Sequence, residues 1–355
     1  MDTRIITIDE SNIDLDKIAK AGNIIKAGGL VAFPTETVYG LGGDALNSSS
    51  SEKIYAAKGR PSDNPLIVHI ARMEDLDKIV EEIPDSAKKL ADKYWPGPLT
   101  MIFKKSNAVP YETTGGLDTV AVRMPVHRTA LEFIKASGGY VAAPSANISG
   151  RPSPTCAKYV IEDMQGRIEM IIDGGDSGIG LESTIVDLTG DKPIILRPGY
   201  VTEAMLTEVL GEVSMDPTIM DGNCKDRPKA PGMRYRHYAP KGELTIISGE
   251  ESEVTKYITR QTNTLITVGR RVGIICTDET SSYYEKGALP DRISVKSVGK
   301  RADESSIAHR LYSILREFDD ESVDVIFSES FNDSNLGQAI MNRLLKAAGH
   351  QVVEL

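Results

Sequence analysis

Short runs of Val, Ile and Leu recur along the chain at intervals that leave room for a helix between them, and this alternation restricts the fold more than any other feature. The runs fall at residues 30–33, 66–70, 99–103, 120–122, 140–143, 170–172, 184–188 and 194–196. Each is of strand length and most are bounded by Gly, Pro, Asn or Ser, so residues 1–210 are expected to form an α/β or α+β domain. From 211 to 242 the pattern breaks into Asp-Pro, Asp-Gly-Asn, Arg-Pro, Ala-Pro-Gly and Ala-Pro, which is linker composition. Apolar runs at 244–247, 272–276, 293–298 and 323–327 then alternate with helical stretches around 254–260, 306–318 and 336–349. Residues 243–355 are therefore expected to form a second, smaller, Rossmann-like βαβ domain. It lacks a glycine-rich phosphate fingerprint, so that look implies no nucleotide site.

Composition excludes several classes of function. The chain has 355 residues, of which 40% are hydrophobic, enough for two cores. No run approaches the roughly 18 apolar residues of a membrane span. The acidic N-terminal stretch has the wrong sign for a signal peptide, so a cytoplasmic protein with no membrane partner is expected. With 51 acidic against 41 basic side chains the net charge is -10, which argues against strong direct nucleic-acid binding. Cys156, Cys224 and Cys276 are scattered without a C-x-x-C pair and suggest neither a disulfide framework nor a zinc site.

Against this acidic background the basic loop Lys58-Gly59-Arg60-Pro61-Ser62-Asp63-Asn64-Pro65-Leu66 stands out. Ser49 and Glu52 read as a capping box that starts a short helix, and Gly59 sits where that helix should stop. Lys58 then lies in the last helical turn, where the dipole repels anions. A phosphate here would depend on the side chains of Lys58 and Arg60 themselves. Several other segments run from a hydrophobic strand straight into small polar or cationic residues: Thr35 to Gly42 after the first run, Ser145 to Ser153 after the central one, and His69, Arg123 and Arg197 at the ends of three more. Ligands in α/β sheets commonly sit at such strand ends. The glycine-rich stretch 174–180 lacks the P-loop lysine and reads mainly as a flexible turn.

Taken in order, Pro34-Thr35-Glu36-Thr37-Val38-Tyr39-Gly40-Leu41-Gly42, Lys58-Gly59-Arg60 with Asn64-Pro65-Leu66, Trp95-Pro96-Gly97-Pro98-Leu99-Thr100, Arg123-Met124-Pro125, Pro144-Ser145-Ala146-Asn147-Ile148-Ser149-Gly150 and Glu182-Ser183-Thr184-Ile185-Val186-Asp187 resemble the YrdC-like family over about residues 10–205. Pro231-Gly232-Met233-Arg234-Tyr235-Arg236-His237-Tyr238-Ala239-Pro240 resembles the linker of that family's long form. The resemblance implies a twisted mixed sheet with helices, followed by an extra C-terminal domain. It also implies a reaction in which L-threonine, bicarbonate and ATP give threonylcarbamoyl-AMP and pyrophosphate, towards threonylcarbamoyladenosine in tRNA. Downstream tRNA threonylcarbamoyl-transferase proteins are the implied partners.

Lys58 and Arg60 are then expected on the phosphates, with Mg²⁺ bridging these, and Asn64 on the nucleotide nearby. By family correspondence Thr119, Ser145, Asn147, Ser153, Arg197 and Tyr238 are implied on the ATP side. Thr35, His69, Arg123, Ala143 and Ser183 are implied around threonine, with Arg123 the best fork for its carboxylate. No general base stands out. Two rivals remain open: carbamoyl transfer by a YrdC-like relative, and a non-enzymatic RNA-binding module. The basic side chains Lys225, Arg227, Lys229, Arg234, Arg236 and Lys241 further suggest that the linker closes over the first domain as a lid.

Overall fold

The computed structural model describes residues 1–217, 219, 230–231, 237–284, 290–332 and 335–355. The chain divides into two compact units, Met1–Ser149 with Ser153–Tyr235 and Gly150–Pro152 with Arg236–Leu355. Most of the basic linker positions invoked for a lid, Lys225, Arg227, Lys229, Arg234 and Arg236, lie outside the described residues.

The first unit is built on strands β1 (Arg4–Thr7), β2 (Val31–Phe33), β3 (Gly40–Asp44), β4 (Ile67–His69), β5 (Leu99–Lys104), β6 (Thr119–Arg123), β7 (Val141–Ala143), β8 (Met170–Asp173), β9 (Thr184–Asp187), β10 (Ile194–Arg197) and β11 (Ser214–Met215). They form one mixed sheet in the order β1-β8-β2-β3-β7-β4-β6-β5-β9-β10-β11. The parallel pairing of β11 with β10 carries this unit past the expected limit at residue 210. Its helices are α1 (Leu15–Lys26), α2 (Ser48–Lys58), α3 (Leu76–Ile79), α4 (Asp85–Tyr94), α5 (Arg128–Ala136), α6 (Ala157–Met164) and α7 (Glu203–Leu210).

The described helices contribute unequally to the packing of the two sheet faces. One face is buried under α2, α3, α4, α6 and α7 through Ile54, Leu76, Leu90, Val160 and Leu206. On the other face α1 and α5 pack over Val31, Phe33, Val141, Ala143 and Met170, which belong to β2, β7 and β8. The neighbouring strands on that face carry only a small apolar floor, Ile67, Ile102, Ala121, Ile185 and Leu196, joined by Ala230 from the segment after β11. Among the described residues no helix contributes to this floor.

Strand β3 has the sequence Gly-Leu-Gly-Gly-Asp, which no strand propensity would select. Its glycines are required by crowding: a Cβ on Gly42 would stand 2.8 Å from Val141 Cγ1, and one on Gly40 would stand 3.0 Å from the Phe33 ring. The α1–α5 contact is equally close, since a Cβ on Gly22 would fall 2.5 Å from the backbone carbonyl of Ala136.

The second unit is a parallel sheet of β12 (Glu243–Ser248), β13 (Val272–Cys276), β14 (Ile293–Ser297), β15 (Val325–Glu329) and β16 (Val352–Glu354) in the order β14-β13-β15-β12-β16. Helices Glu251–Thr267, Glu304–Asp320 and Leu336–Ala347 connect the strands, as the alternating pattern requires. Tyr238 belongs to this unit. Held at φ 63°, it stacks on Tyr312 with ring centroids 5.1 Å apart. No helix among the described residues is long and apolar enough to cross a membrane.

Gly22→Ala should lower unfolding stability by about 1–3 kcal/mol, the usual cost of overpacking a contact with no room to relax. Urea denaturation measures it. An unchanged midpoint would mean that α1 and α5 do not pack backbone to backbone.

Candidate active site

Sheet register gathers several of the sequence-predicted residues on the face of this apolar floor. His69 pairs with Arg123 and Ile67 with Ala121 across β4 and β6, while Thr100 of β5 lies opposite Arg123. Thr100 pairs in turn with Ile185 of β9, and Ile185 with Arg197 of β10. Side chains alternate between faces along a strand, so His69, Thr119, Arg123, Thr100 and Arg197 share a face with Ile67, Ala121, Ile102 and Ile185. Ala143 pairs with Ile67 and belongs to the same face. β4, β6 and β10 run the same way, so His69, Arg123 and Arg197 do close strands at one edge. β7 runs opposite to β4, so the segment after it leaves from the other edge.

Arg123 is the centre of a buried polar network. Its Nε donates to Gly97 O at 3.3 Å, one terminal nitrogen donates to Thr37 Oγ1 at 2.8 Å, and the other pairs with Glu36 Oε1 at 2.5 Å. Thr35 Oγ1 lies 2.9 Å from Thr37 Oγ1, donates to Val38 O at 2.6 Å and accepts from Thr37 N and Val38 N. A Thr hydroxyl folding back on its own turn in this way fixes the loop between β2 and β3. The glycine-rich stretch, expected to be a flexible turn, is tied to that loop: Ile179 N donates to Glu36 O and Gly180 N to Thr37 O, while Tyr39 Oη donates to Gly175 O at 2.6 Å.

His69 lies edge-on to Phe33 at 5.9 Å, with Nδ1 3.1 Å from Ile67 O. Burial, reinforced by the charge of Arg123, pushes its pKa down to about 3, so its imidazole is neutral.

From Arg123 the polar line continues across the sheet. Thr100 Oγ1 lies 2.8 Å from Ser183 Oγ, and Arg197 donates to Ser183 O at 3.0 Å, to Ser183 Oγ at 3.1 Å and to Pro231 O at 3.3 Å. Ser153 Oγ donates to Glu182 Oε1 at 2.6 Å.

The basic loop differs from its sequence reading in two respects. Helix α2 begins two residues earlier than a cap at Ser49 would allow. Its N-cap is Asn47, whose side chain accepts from Ser49 N at 3.0 Å. The other end is as expected, with Gly59 left-handed at φ 62°. Lys58 is only 1% exposed, and its ammonium donates to the carbonyls of Ser145 and Asn147. Instead of projecting as an open anion ligand it binds the 145–147 loop to the end of α2. Ser145 Oγ donates to Asn147 Oδ1, and Ala146 N donates to Tyr39 O at 2.8 Å, so this loop is joined to the one after β2 as well. Arg60 spans its own turn, with Nε 3.4 Å from Asn64 O and a terminal nitrogen 3.2 Å from Pro65 O. The buried Asn64 Oδ1 has no hydrogen-bond partner.

Known proteins resemble this arrangement along the whole chain. A family profile described as telomere recombination matches residues 23–199, and one described as threonylcarbamoyl-AMP synthase, C-terminal domain, matches 201–349. The threonylcarbamoyl-AMP synthase of Pyrococcus abyssi is 46% identical, over 99% of this chain and 100% of its own. That of Bacillus subtilis is 46% identical, over 97% and 96% respectively. The chain belongs to the threonylcarbamoyl-AMP synthase family. The crystal structure of P. abyssi Sua5 complexed with L-threonine superposes with a TM-score of 0.92 at 45% identity, covering 99% of this chain and 100% of that one.

Within this synthase fold, sequence reasoning assigned no role to Glu36, Thr37, Thr100 or Glu182. All four stand inside the recognised motifs, yet what gives each a function is a partner from a distant part of the chain. Tyr238, expected on the ATP side, lies in the second unit, as described above.

In the unfolded chain His69 titrates near its ordinary pKa of about 6.5, whereas in the folded protein it does not take a proton until about pH 3. Its stabilising contribution is therefore complete above pH 6.5 and is lost progressively as the pH falls towards 3. Imidazole NMR should show His69 neutral at pH 5. A His69 resonance titrating near pH 6.5 would contradict this burial.

Proposed function

We propose that this chain makes L-threonylcarbamoyl-AMP and pyrophosphate from L-threonine, bicarbonate and ATP. The observation that carries the reading is the row of buried polar side chains on one sheet face, with Arg123 opposite Thr100 and Ser183 bonded to Thr100 and Arg197, in a chain whose relatives of matching length bear the name of that activity. Threonine is assigned to the Arg123 end with Thr35, His69 and Ala143, and Ser183, bonded to Thr100 and Arg197, is assigned to the boundary with the nucleotide. The nucleotide is assigned to the side of Arg197, Arg60, Asn64, Ser145, Asn147, Ser153 and Thr119.

The chemistry is a carbamate oxygen attacking the α-phosphorus while pyrophosphate leaves. It needs aligned reactants and neutralised charge more than a protein nucleophile. Arg60 is assigned to the departing phosphates, where a charge-assisted hydrogen bond contributes about 1.5–3 kcal/mol. Lys58 adds positive potential and holds the carbonyls of Ser145 and Asn147 so that the Ser145 hydroxyl is fixed for the nucleotide. Among the described residues no group of three or more His, Cys, Asp or Glu side chains could hold a metal. Magnesium is assigned to the triphosphate, as part of the substrate. The product is an activated acyl-phosphate-type anhydride, suited to a transferase that passes the threonylcarbamoyl group to tRNA.

The purified protein should release pyrophosphate from ATP only when both threonine and bicarbonate are present, and Arg60→Ala should slow that release by about 10²-fold or more. Release independent of threonine, or an Arg60→Ala protein of near-normal rate, would contradict the assignment.

A further inference from the structure

Carbamate formation from threonine requires the ammonium to lose a proton, and one group beside Arg123 is placed to take it. Glu36 uses Oε1 for its ion pair with Arg123, while its Oε2 is buried and has no hydrogen-bond partner. The side chain is 11% exposed, so the carboxylate is neither a solvated surface group nor a fully satisfied buried one. A buried carboxylate oxygen without a donor is costly, and an incoming donor removes that cost. The backbone around it is fixed from both sides, by the Thr35 hydroxyl within its own loop and by Ile179 N on its carbonyl, so Oε2 cannot simply swing out to water without breaking the Arg123 pair.

We propose that Glu36 Oε2 receives the threonine ammonium and is the general base for carbamate formation. This rests on the assignment of threonine to the Arg123 end of the site. One ammonium proton passes to Oε2, and the freed nitrogen lone pair forms the N–C bond with bicarbonate carbon. A C–O bond breaks, and that hydroxide leaves as water with a second nitrogen proton. Threonine ammonium and bicarbonate thus give carbamate, water and one proton, held on Glu36. Protonation discharges the carboxylate and loosens its hold on Arg123, whose guanidinium then faces the two carboxylates of the N-carboxythreonine. Deprotonation and the gain of a cationic clamp are thereby the same event.

The other charged or titratable groups facing this position are Arg123 itself, the neutral His69 next to it on β4, and His127, which feels Glu36 and lies 3.5 Å from Glu10. Burial lowers the pKa of His127, so both imidazoles are neutral at the alkaline pH values that matter here.

Glu36→Gln keeps the shape and a hydrogen bond to Arg123 but cannot accept the proton. Its threonine-dependent pyrophosphate release should fall by about 10²-fold or more near neutral pH. It should then recover by about tenfold for each pH unit towards the threonine ammonium pKa, as free amine replaces the missing base. Glu36→Asp, which keeps the charge, should run more slowly with the wild-type pH profile. A Glu36→Gln rate near that of the wild type, or a loss that does not change with pH, overturns the proposal and leaves Glu36 as a partner of Arg123 alone. If Glu36→Gln does not fold, Glu36→Asp decides: a pH profile rising like that expected for the Gln variant would overturn the proposal. These results are distinct from failure of the assigned reaction, in which the wild-type protein itself would release no pyrophosphate in response to threonine.

Discussion

A buried guanidinium that is not neutralised is costly, and the way Arg123 avoids that cost organises the site. The residue lies at the end of β6, on the face whose floor receives no helix among the described residues. Its charge is met by Glu36 from the loop after β2, and its remaining bonds reach Thr37 and the backbone before β5. A single side chain thus ties three separate segments together. The glycine-rich loop after β8 is anchored to the same turn through Glu36 O and Thr37 O. Removing Glu36 alone would leave the buried Arg123 charge unpaired and release one wall of the proposed threonine subsite.

Lys58 has a comparable part on the nucleotide side. Its ammonium is satisfied by two carbonyls of the 145–147 loop, so the charge builds the loop as well as the local potential. Thr100, Ser183 and Arg197 form a hydrogen-bonded polar row on the face that carries the apolar floor. Such a surface excludes water from below while presenting fixed donors from the sides, which suits a reaction whose carbamate intermediate water would destroy.

The strands legible in the sequence are those rich in Val and Ile, because burial on both faces selects such residues and leaves a continuous apolar run. β3 was hidden since its glycines answer to the Phe33 ring and Val141, contacts that exist only after folding. β1, Arg4–Thr7, is a partly exposed edge strand without a continuous apolar signal. The cationic side chains of the site were visible as types and motifs. Their partners were not: Glu36 and Arg123 are 87 residues apart, and nothing local to either reveals the pair. For the same reason Lys58 read as an anion ligand, although the fold first engages it with carbonyls.

The proposed catalytic surface is the face of the sheet between β7 and β10 that carries Arg123 and Arg197. A crystal structure of this protein with threonine, bicarbonate and a non-hydrolysable ATP analogue tests it most directly. The account predicts threonine beside Glu36 and Arg123, and the nucleotide phosphates near Arg60 and Ser145, both above Ile67 and Ala121. Threonine bound away from the Glu36–Arg123 pair, or a nucleotide held on the helix-covered face of the sheet, would contradict it.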